Sequence, residues 1–290
     1  IDRLAVSLIA DQGSVRIGRQ ALTWGNGFLF NPMDLFNPFS PTDVQRDYKI
    51  GDDMITAQVY TGQSGELQLL YVPRRNVESH DIKWEESSVA AKYHFNISTT
   101  DIDLMAGKNY DDNVAGIGLT GYLLEAAWRL DTTYTWLDGN SDQSGYSSIV
   151  ANIDYSWVWW NKNLYAWIEY YYTGLGENDA QNALNDPDII SRLARGEWFT
   201  LGRSYVDVQL QVEWHPLVNG FITVIENTHD SSGILQPRVV IDPAQNFQIM
   251  CGANIYYGKT DTEFGGIDLP GVALKEILAD VFYLWFSWYF

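Results

Sequence analysis

The side chains that could do acid-base or metal chemistry are few, and their spacing does not suit it. His80, His94, His215 and His229 are scattered, and no two stand four apart, as a pair gripping zinc from one helix would. His94 and His215 fall on polar faces of extended segments. There each reads as a wall residue, or as a general base if a partner positions it. Cys251 is the only cysteine, so an intramolecular disulfide is excluded. No Gly-x-Ser-x-Gly elbow is present to raise a nucleophilic serine. Gly116, Gly118 and Gly121 have the spacing of a dinucleotide-binding loop, but they lie inside an extended segment with no following helix to receive a pyrophosphate. The sequence points to no catalytic residue, no bound metal and no cofactor.

What recurs instead is charge and polarity at every second position. From Ser204 to His215, Val206, Val208, Leu210, Val212 and Trp214 alternate with Tyr205, Asp207, Gln209, Gln211, Glu213 and His215. The same two-residue period runs through Val89 to Ile97, Trp128 to Thr135, Ile149 to Trp157 and Phe247 to Tyr256. Side chains of a strand alternate between its faces, so each segment has one apolar and one polar face. Weaker strands are expected over 3–9, 15–24, 54–60, 66–72, 101–109, 113–122, 164–172, 221–227 and 234–242. The last nine residues, Phe282 to Phe290, complete fifteen, with Phe282, Leu284, Phe286, Trp288 and Phe290 on one face. Bacterial membrane barrels favour even strand numbers, and a further strand before Ile1 would make about sixteen.

Composition decides what these strands build. The chain has 290 residues, 46% hydrophobic and 14% aromatic, yet its mean hydropathy is only -0.19. It lacks the run of about 20 apolar residues that a membrane helix requires. A spanning chain without such helices must close its backbone hydrogen bonds in a barrel, because hydrocarbon offers none to an open edge. A soluble all-β protein is the alternative. The 12 Trp and 18 Tyr favour the barrel, where aromatic girdles mark both lipid interfaces. The 37 acidic residues against 18 basic give a net charge of -19, which disfavours nucleic acid as a partner and suits a cation-attracting pore. The sequence starts at Ile1 without a signal peptide, so export is inferred from the strands.

The terminal segment resembles the last strand of Gram-negative outer-membrane barrels, where a final Phe after alternating apolar residues is recognised by the assembly machinery. Gly18-Arg19-Gln20 followed by Trp24-Gly25 is similar to a motif of alginate-export-like porins and a related outer-membrane group. The resemblance implies a solute-conducting barrel in the outer membrane of a Gram-negative bacterium. It does not carry alginate over as the substrate. The fold expected is all-β, a transmembrane antiparallel up-and-down barrel of about sixteen strands over residues 1–290 as one domain. Long external loops are expected near 25–53, 173–199 and 258–278.

With the polar faces turned to the lumen, the pore-lining set is Arg16, Arg19, Lys92, Asp103, Arg129, Asp131, Asp154, Glu169, Asp207, Glu213 and Arg238. Arg19 shares the apolar row of Ile17, so a bulge is needed to bring it inside. So many charges persist only in a hydrated channel or against a polar plug. Phe28, Phe30, Leu35, Phe36 and Phe39, interspersed with three X-Pro steps, mark a stiff first loop that packs inward or beside the barrel. Asp186-Pro187 and Gly196 bracket a short helix, with Ile189, Ile190, Leu193 and Trp198 available to dock it. Asp111 with Asp112, and Asp261 with Glu263, are either solvated surface charge or cation sites bridging lipopolysaccharide.

The function expected is passive, cation-favouring passage of small hydrophilic or amphipathic solutes, with no enzymatic activity. A plugged barrel acting as scaffold for a partner protein and an outer-membrane hydrolase are the alternatives. The partners expected are the lipid bilayer and lipopolysaccharide, the assembly machinery, a small solute, and either a second copy of the chain or a periplasmic protein.

Overall fold

The computed structural model describes residues 2–40, 49–62, 64–76, 79–138, 141, 143–268, 275–276 and 278–289. The expected alternation becomes fifteen strands in one antiparallel up-and-down sheet. They are β1 (Leu4–Ala10), β2 (Gly13–Gln20), β3 (Asp52–Thr61), β4 (Gly65–Val72), β5 (Ser88–Ile97), β6 (Thr100–Asn109), β7 (Asp112–Leu123) and β8 (Ala126–Trp136). The series continues with β9 (Gly145–Trp159), β10 (Lys162–Thr173), β11 (Ser204–His215), β12 (Val218–Asn227), β13 (Ser232–Ala244) and β14 (Phe247–Tyr257). A two-residue pair, β15 (Ile267–Asp268) with β16 (Lys275–Glu276), precedes the final strand β17 (Val281–Trp288), which adds to β14. This is the transmembrane barrel architecture the sequence predicts. Among the described residues no pairing joins β17 to β1.

The two faces differ as a bilayer demands. Phe282, Leu284, Phe286 and Trp288 are 76, 58, 63 and 67% exposed, while Tyr283, Trp285 and Ser287 on the opposite row are half-buried. Ile55, Leu69, Leu104, Ile168, Val208 and Ile222 repeat the outward apolar row around the sheet. Such a surface is stable only against hydrocarbon, since a soluble chain rarely exposes a continuous apolar band.

Tight turns occupy one end of the sheet. At the hairpin joining β9 and β10, Trp160 and Asn161 both take positive φ, 48° and 55°, the two-residue geometry whose twist matches the flanking strands. The opposite end carries the long connections. In that between β10 and β11, Asp186 caps α2 (Pro187–Ala194) by accepting from the amides of Asp188 and Ile189, and Gly196 follows at φ 70°. The helix thus lies where Asp186-Pro187 and Gly196 place it. A second turn of helix, α1 (Ala180–Ala183), was not foreseen; the Asp179 carboxylate caps it.

One strand boundary departs from expectation. β2 ends at Gln20 rather than continuing to Trp24, because the chain leaves the sheet there and turns into the barrel. Gly18, at φ 124°, lies where a Cβ would stand 2.4 Å from the Leu4 carbonyl oxygen, a contact only glycine avoids. Phe290, Pro41 and parts of the 25–53 and 258–278 loops lie outside the described residues.

Candidate functional site

The segment after β2 enters the lumen, and its apolar residues build a core there. Trp24, Met33 and Phe36 are buried against Met54, Leu70, Val72, Ala90, Met105 and Val114, which face inward from β3 to β7. Trp24 meets Phe36 edge-on at 5.4 Å, and its indole N–H donates to Gln68 Oε1 at 2.6 Å. At the level of this core the interior is filled by packed side chains, and the charges of Lys92, His94 and Asp103 follow it on the same inward rows of β5 and β6.

Three inward polar residues on consecutive strands hold the loop's tip. Asp131 on β8 accepts from the Asn26 backbone N–H at 2.5 Å and from its side-chain amide at 2.9 Å. Asn152 on β9 donates to the Asn26 carbonyl oxygen and to Glu169 Oε2, both at 3.1 Å. Glu169 on β10 accepts the amides of Phe28, Leu29 and Phe30 at 2.6, 2.9 and 2.9 Å. A carboxylate that receives several N–H groups away from water binds strongly, since both partners are otherwise unsatisfied. Phe28 stacks on Trp167 at 4.8 Å and Phe30 on Tyr171 at 4.4 Å, so the tip is fixed by rings as well as by charge. Gly118 leaves room for the latch: a Cβ there would stand 2.7 Å from Asp131 Oδ1 and 3.1 Å from Asn26 Nδ2.

Two more loops close over the same end. Glu263 accepts from the Leu201 amide at 2.7 Å, the Tyr205 hydroxyl at 2.6 Å and Asn227 Nδ2 at 2.8 Å. Its neighbour Phe264 joins Phe30, Tyr171, Tyr205, Ile225 and Ile234 in one buried cluster. Glu263 is thus a buried anchor and not the solvated charge or cation ligand that its sequence context suggests; burial pushes its carboxyl pKa up. On the other side of the mouth, Arg192 of α2 is buried, paired with Asp112 and with Asp188 at 3.4 Å, and lies 5.6 Å over the Tyr146 ring. Ile189, Leu175 and Ala183 complete that contact, with Leu193 and Trp198 packed beside it, whereas Ile190 points outward. Burial also raises the Glu197 carboxyl, which accepts from Asn109 and meets Arg195 at 3.4 Å.

The residues expected to line a pore have varied environments. Lys92 and His94 both reach Asp103 Oδ1, at 3.4 and 3.0 Å. Arg129 pairs with Asp154 and lies 4.9 Å over the Phe28 ring. Asp131 and Glu169 hold the loop, as above. Asp207, directly across from Glu169, is fully buried, and neither carboxylate oxygen has a hydrogen-bond partner. Glu213 accepts from Asn163 at 2.9 Å near the turn end. Arg16 shares the inward row of Gln20 and is exposed. Arg19 stays on the outward row: the register of β2 with β3 has no bulge, and its guanidinium pairs with Asp53 at 3.0 Å, 45% exposed. His215 lies past a register shift, where its ring accepts the Leu217 amide at 3.2 Å in a turn.

Arg238 faces a cavity of about 620 Å³ bounded by the first loop, by the wall of β11 to β14 and β17, and by Thr133, Thr135, Tyr146, Ser148 and Tyr171 of β8 to β10. Phe28, Phe30, Trp198 and Phe199 border it on the loop side, and Gln209, Thr223, Gln236 and Tyr283 on the wall side. Asp34 and Lys49, themselves joined by a short ion pair, stand at its rim. Desolvation pushes the Asp34 carboxyl up to about 6, opposed by the Lys49 ammonium, whose own pKa burial lowers. No group of three or more metal-ligating side chains occurs among the described residues.

No family model matches the chain, and no curated relative does. Its fold is similar to that of solved outer-membrane proteins of Pseudomonas aeruginosa. The crystal structure of OpdK superposes with a TM-score of 0.52 at 10% identity, covering 88% of this chain and 75% of that one. An improved structure of the same protein, OccK1 (OpdK), gives 0.53 at 10% identity over 88% and 74%. OpdK with vanillate gives 0.53 at 10% identity over 88% and 73%.

Proposed function

We propose that the chain is an outer-membrane channel of a Gram-negative bacterium, passing small hydrophilic or amphipathic solutes passively, favouring cations and catalysing no reaction. The observation that carries this reading is the cavity of about 620 Å³ left between the latched loop and the far wall, inside a sheet with the fold of outer-membrane proteins. An empty core would be unconstrained and a fully packed one would be closed; here the interior is narrowed to the size of a small molecule. The excess of acidic residues supports cation preference. Of Gly18-Arg19-Gln20 and Trp24-Gly25, the residues that resemble the alginate-export-like group, the first three end β2 and the last two lie where the chain has entered the lumen, which fits a porin-like role for that motif.

The outward apolar rows would meet the bilayer and lipopolysaccharide, and the strand ending in Phe282 to Phe290 would be read by the assembly machinery. A second copy of the chain or a periplasmic protein remains the partner proposed beyond these. The buried core of Trp24, Met33 and Phe36 favours one second reading, a plugged barrel serving as scaffold for a partner protein.

Swelling of proteoliposomes in isosmotic solutes of graded size separates the two. Vanillate, held by the OpdK neighbour, is a fitting organic probe beside neutral sugars. Uptake that falls steeply with solute size supports the channel. Folded, detergent-extracted protein that leaves every solute excluded supports the scaffold instead.

A further inference from the structure

The lumen of this protein is divided lengthwise. On the side of β3 to β7 it is occupied by the apolar core around Trp24, Met33 and Phe36. At the level of Asp131 and Glu169 it is sealed against β8 to β10 by the hydrogen bonds of Asn26 and of residues 28–30, while Thr133, Thr135 and Ser148 nearer the loop end border the cavity. Among the described residues, no hydrogen bond joins the first loop to Gln209, Thr223 or Gln236 on the inward rows of β11 to β13. There Gln209 bonds Thr223 at 3.0 Å and Gln236 bonds Asn254 at 3.0 Å, strand to strand along the wall. We infer that past the latch solutes cross along this wall alone, on a track of neutral amide and hydroxyl groups whose charged members are Arg238 and, towards the turn end, the acids Glu213 and Asp242, facing the aromatic edge that Phe28 and Phe30 present.

The chemistry of the track selects a class of solute. One side offers hydrogen-bond donors and acceptors, the other aromatic faces, so a molecule with one polar and one apolar flank exchanges its hydration for contacts on both sides. Fully apolar solutes would leave the amides unpaired, and highly charged ones would lose hydration without a matching counter-charge. Arg238 is itself held over the Phe221 ring at 4.5 Å, which fixes the guanidinium on the wall rather than across the path.

This inference rests on the channel reading, and the experiment is arranged so that the two fail separately. Cys251, exposed on the outward row of β14, is first replaced by Ala to give a cysteine-free parent. Single cysteines are then placed on the track, Gln209→Cys and Gln236→Cys, and in the packed half, Ala90→Cys and Val114→Cys. The folded proteins are treated with a water-soluble, positively charged methanethiosulfonate and read both by mass and by conductance in planar bilayers. The expected result is complete modification at 209 and 236, with conductance falling at least threefold, and less than one-tenth modification at 90 and 114 with conductance unchanged. Modification and block at 90 or 114, or conducting variants whose 209 and 236 cysteines resist the reagent, overturns the placement of the track. Variants that are modified at 209 and 236 while neither they nor the parent conduct before treatment overturn the channel reading and leave the wet side of the lumen where it is placed here.

Discussion

The carboxylate of Glu169 receives the backbone N–H of Phe28 at 2.6 Å, across 141 positions of sequence. That bond and its two neighbours convert a wall residue into the anchor of the first loop. Replacing Glu169 by Gln keeps the shape and removes the charge, so three amides lose a strong acceptor. We expect a loss of roughly 2–4 kcal/mol in stability, since hydrogen bonds to charged groups contribute about 1.5–3 kcal/mol and are not additive. Thermal unfolding in detergent measures it, and an unchanged transition would remove the latch from the account.

Gly118 gives a second route to the same contact. Gly118→Ala puts a methyl 2.7 Å from Asp131 Oδ1 and 3.3 Å from Met33 Sδ, so the Asn26 side of the tip must shift. Overpacking of this kind costs about 1–3 kcal/mol. Protection of the Asn26 to Phe30 amides from hydrogen exchange should fall in this variant, while protection of β11 to β13 is retained. Uniform loss across the sheet would show that the substitution acts on the barrel and not on the loop.

The Asp34 and Lys49 pair predicts a pH dependence. Asp34 is raised to about 6 in the folded loop, above the value near 3.8 of a solvated aspartate, so the folded form binds the proton more tightly. Stability then increases as pH falls from about 7 towards 4, by an upper limit of roughly 3 kcal/mol at 1.36 kcal/mol per pKa unit. Proteolysis of residues 22–50 should be slower at pH 5 than at pH 7.5, and Asp34→Asn should flatten the difference. Faster cleavage of the parent at pH 5 would reverse the sign and refute this account of the pair.

Arg192 fastens α2 to the barrel rim through Asp112, Asp188 and the face of Tyr146. Arg192→Met leaves the Asp112 carboxylate without its cation, at a cost of about 3–5 kcal/mol for a broken buried pair. The expected outcome is detachment of residues 187–194, read as rapid amide exchange there, with the strands intact.

The strands were legible in the sequence because a two-residue period is a direct consequence of strand geometry, and fifteen segments such as Ser204 to His215 carry it. The helix was legible from Asp186, Pro187 and Gly196, which are local signals. The latch was not. Asp131 and Glu169 could be read as inward acids, but their partners are main-chain amides more than a hundred residues away, and a backbone amide has no sequence signature. Glu263 was missed for the same reason, and Asp207 reads as a pore charge until the covering of its strand places it out of reach. Only the aromatic content of residues 28–39 hinted at an inward loop.

Single-channel recording in planar bilayers tests the central claim most directly, using the parent protein and Glu169→Gln in a potassium chloride gradient. A narrowed channel gives small, steady, cation-favouring openings in the parent and openings at least twofold larger when the latch is weakened. Correctly folded protein that stays silent in both forms would contradict it.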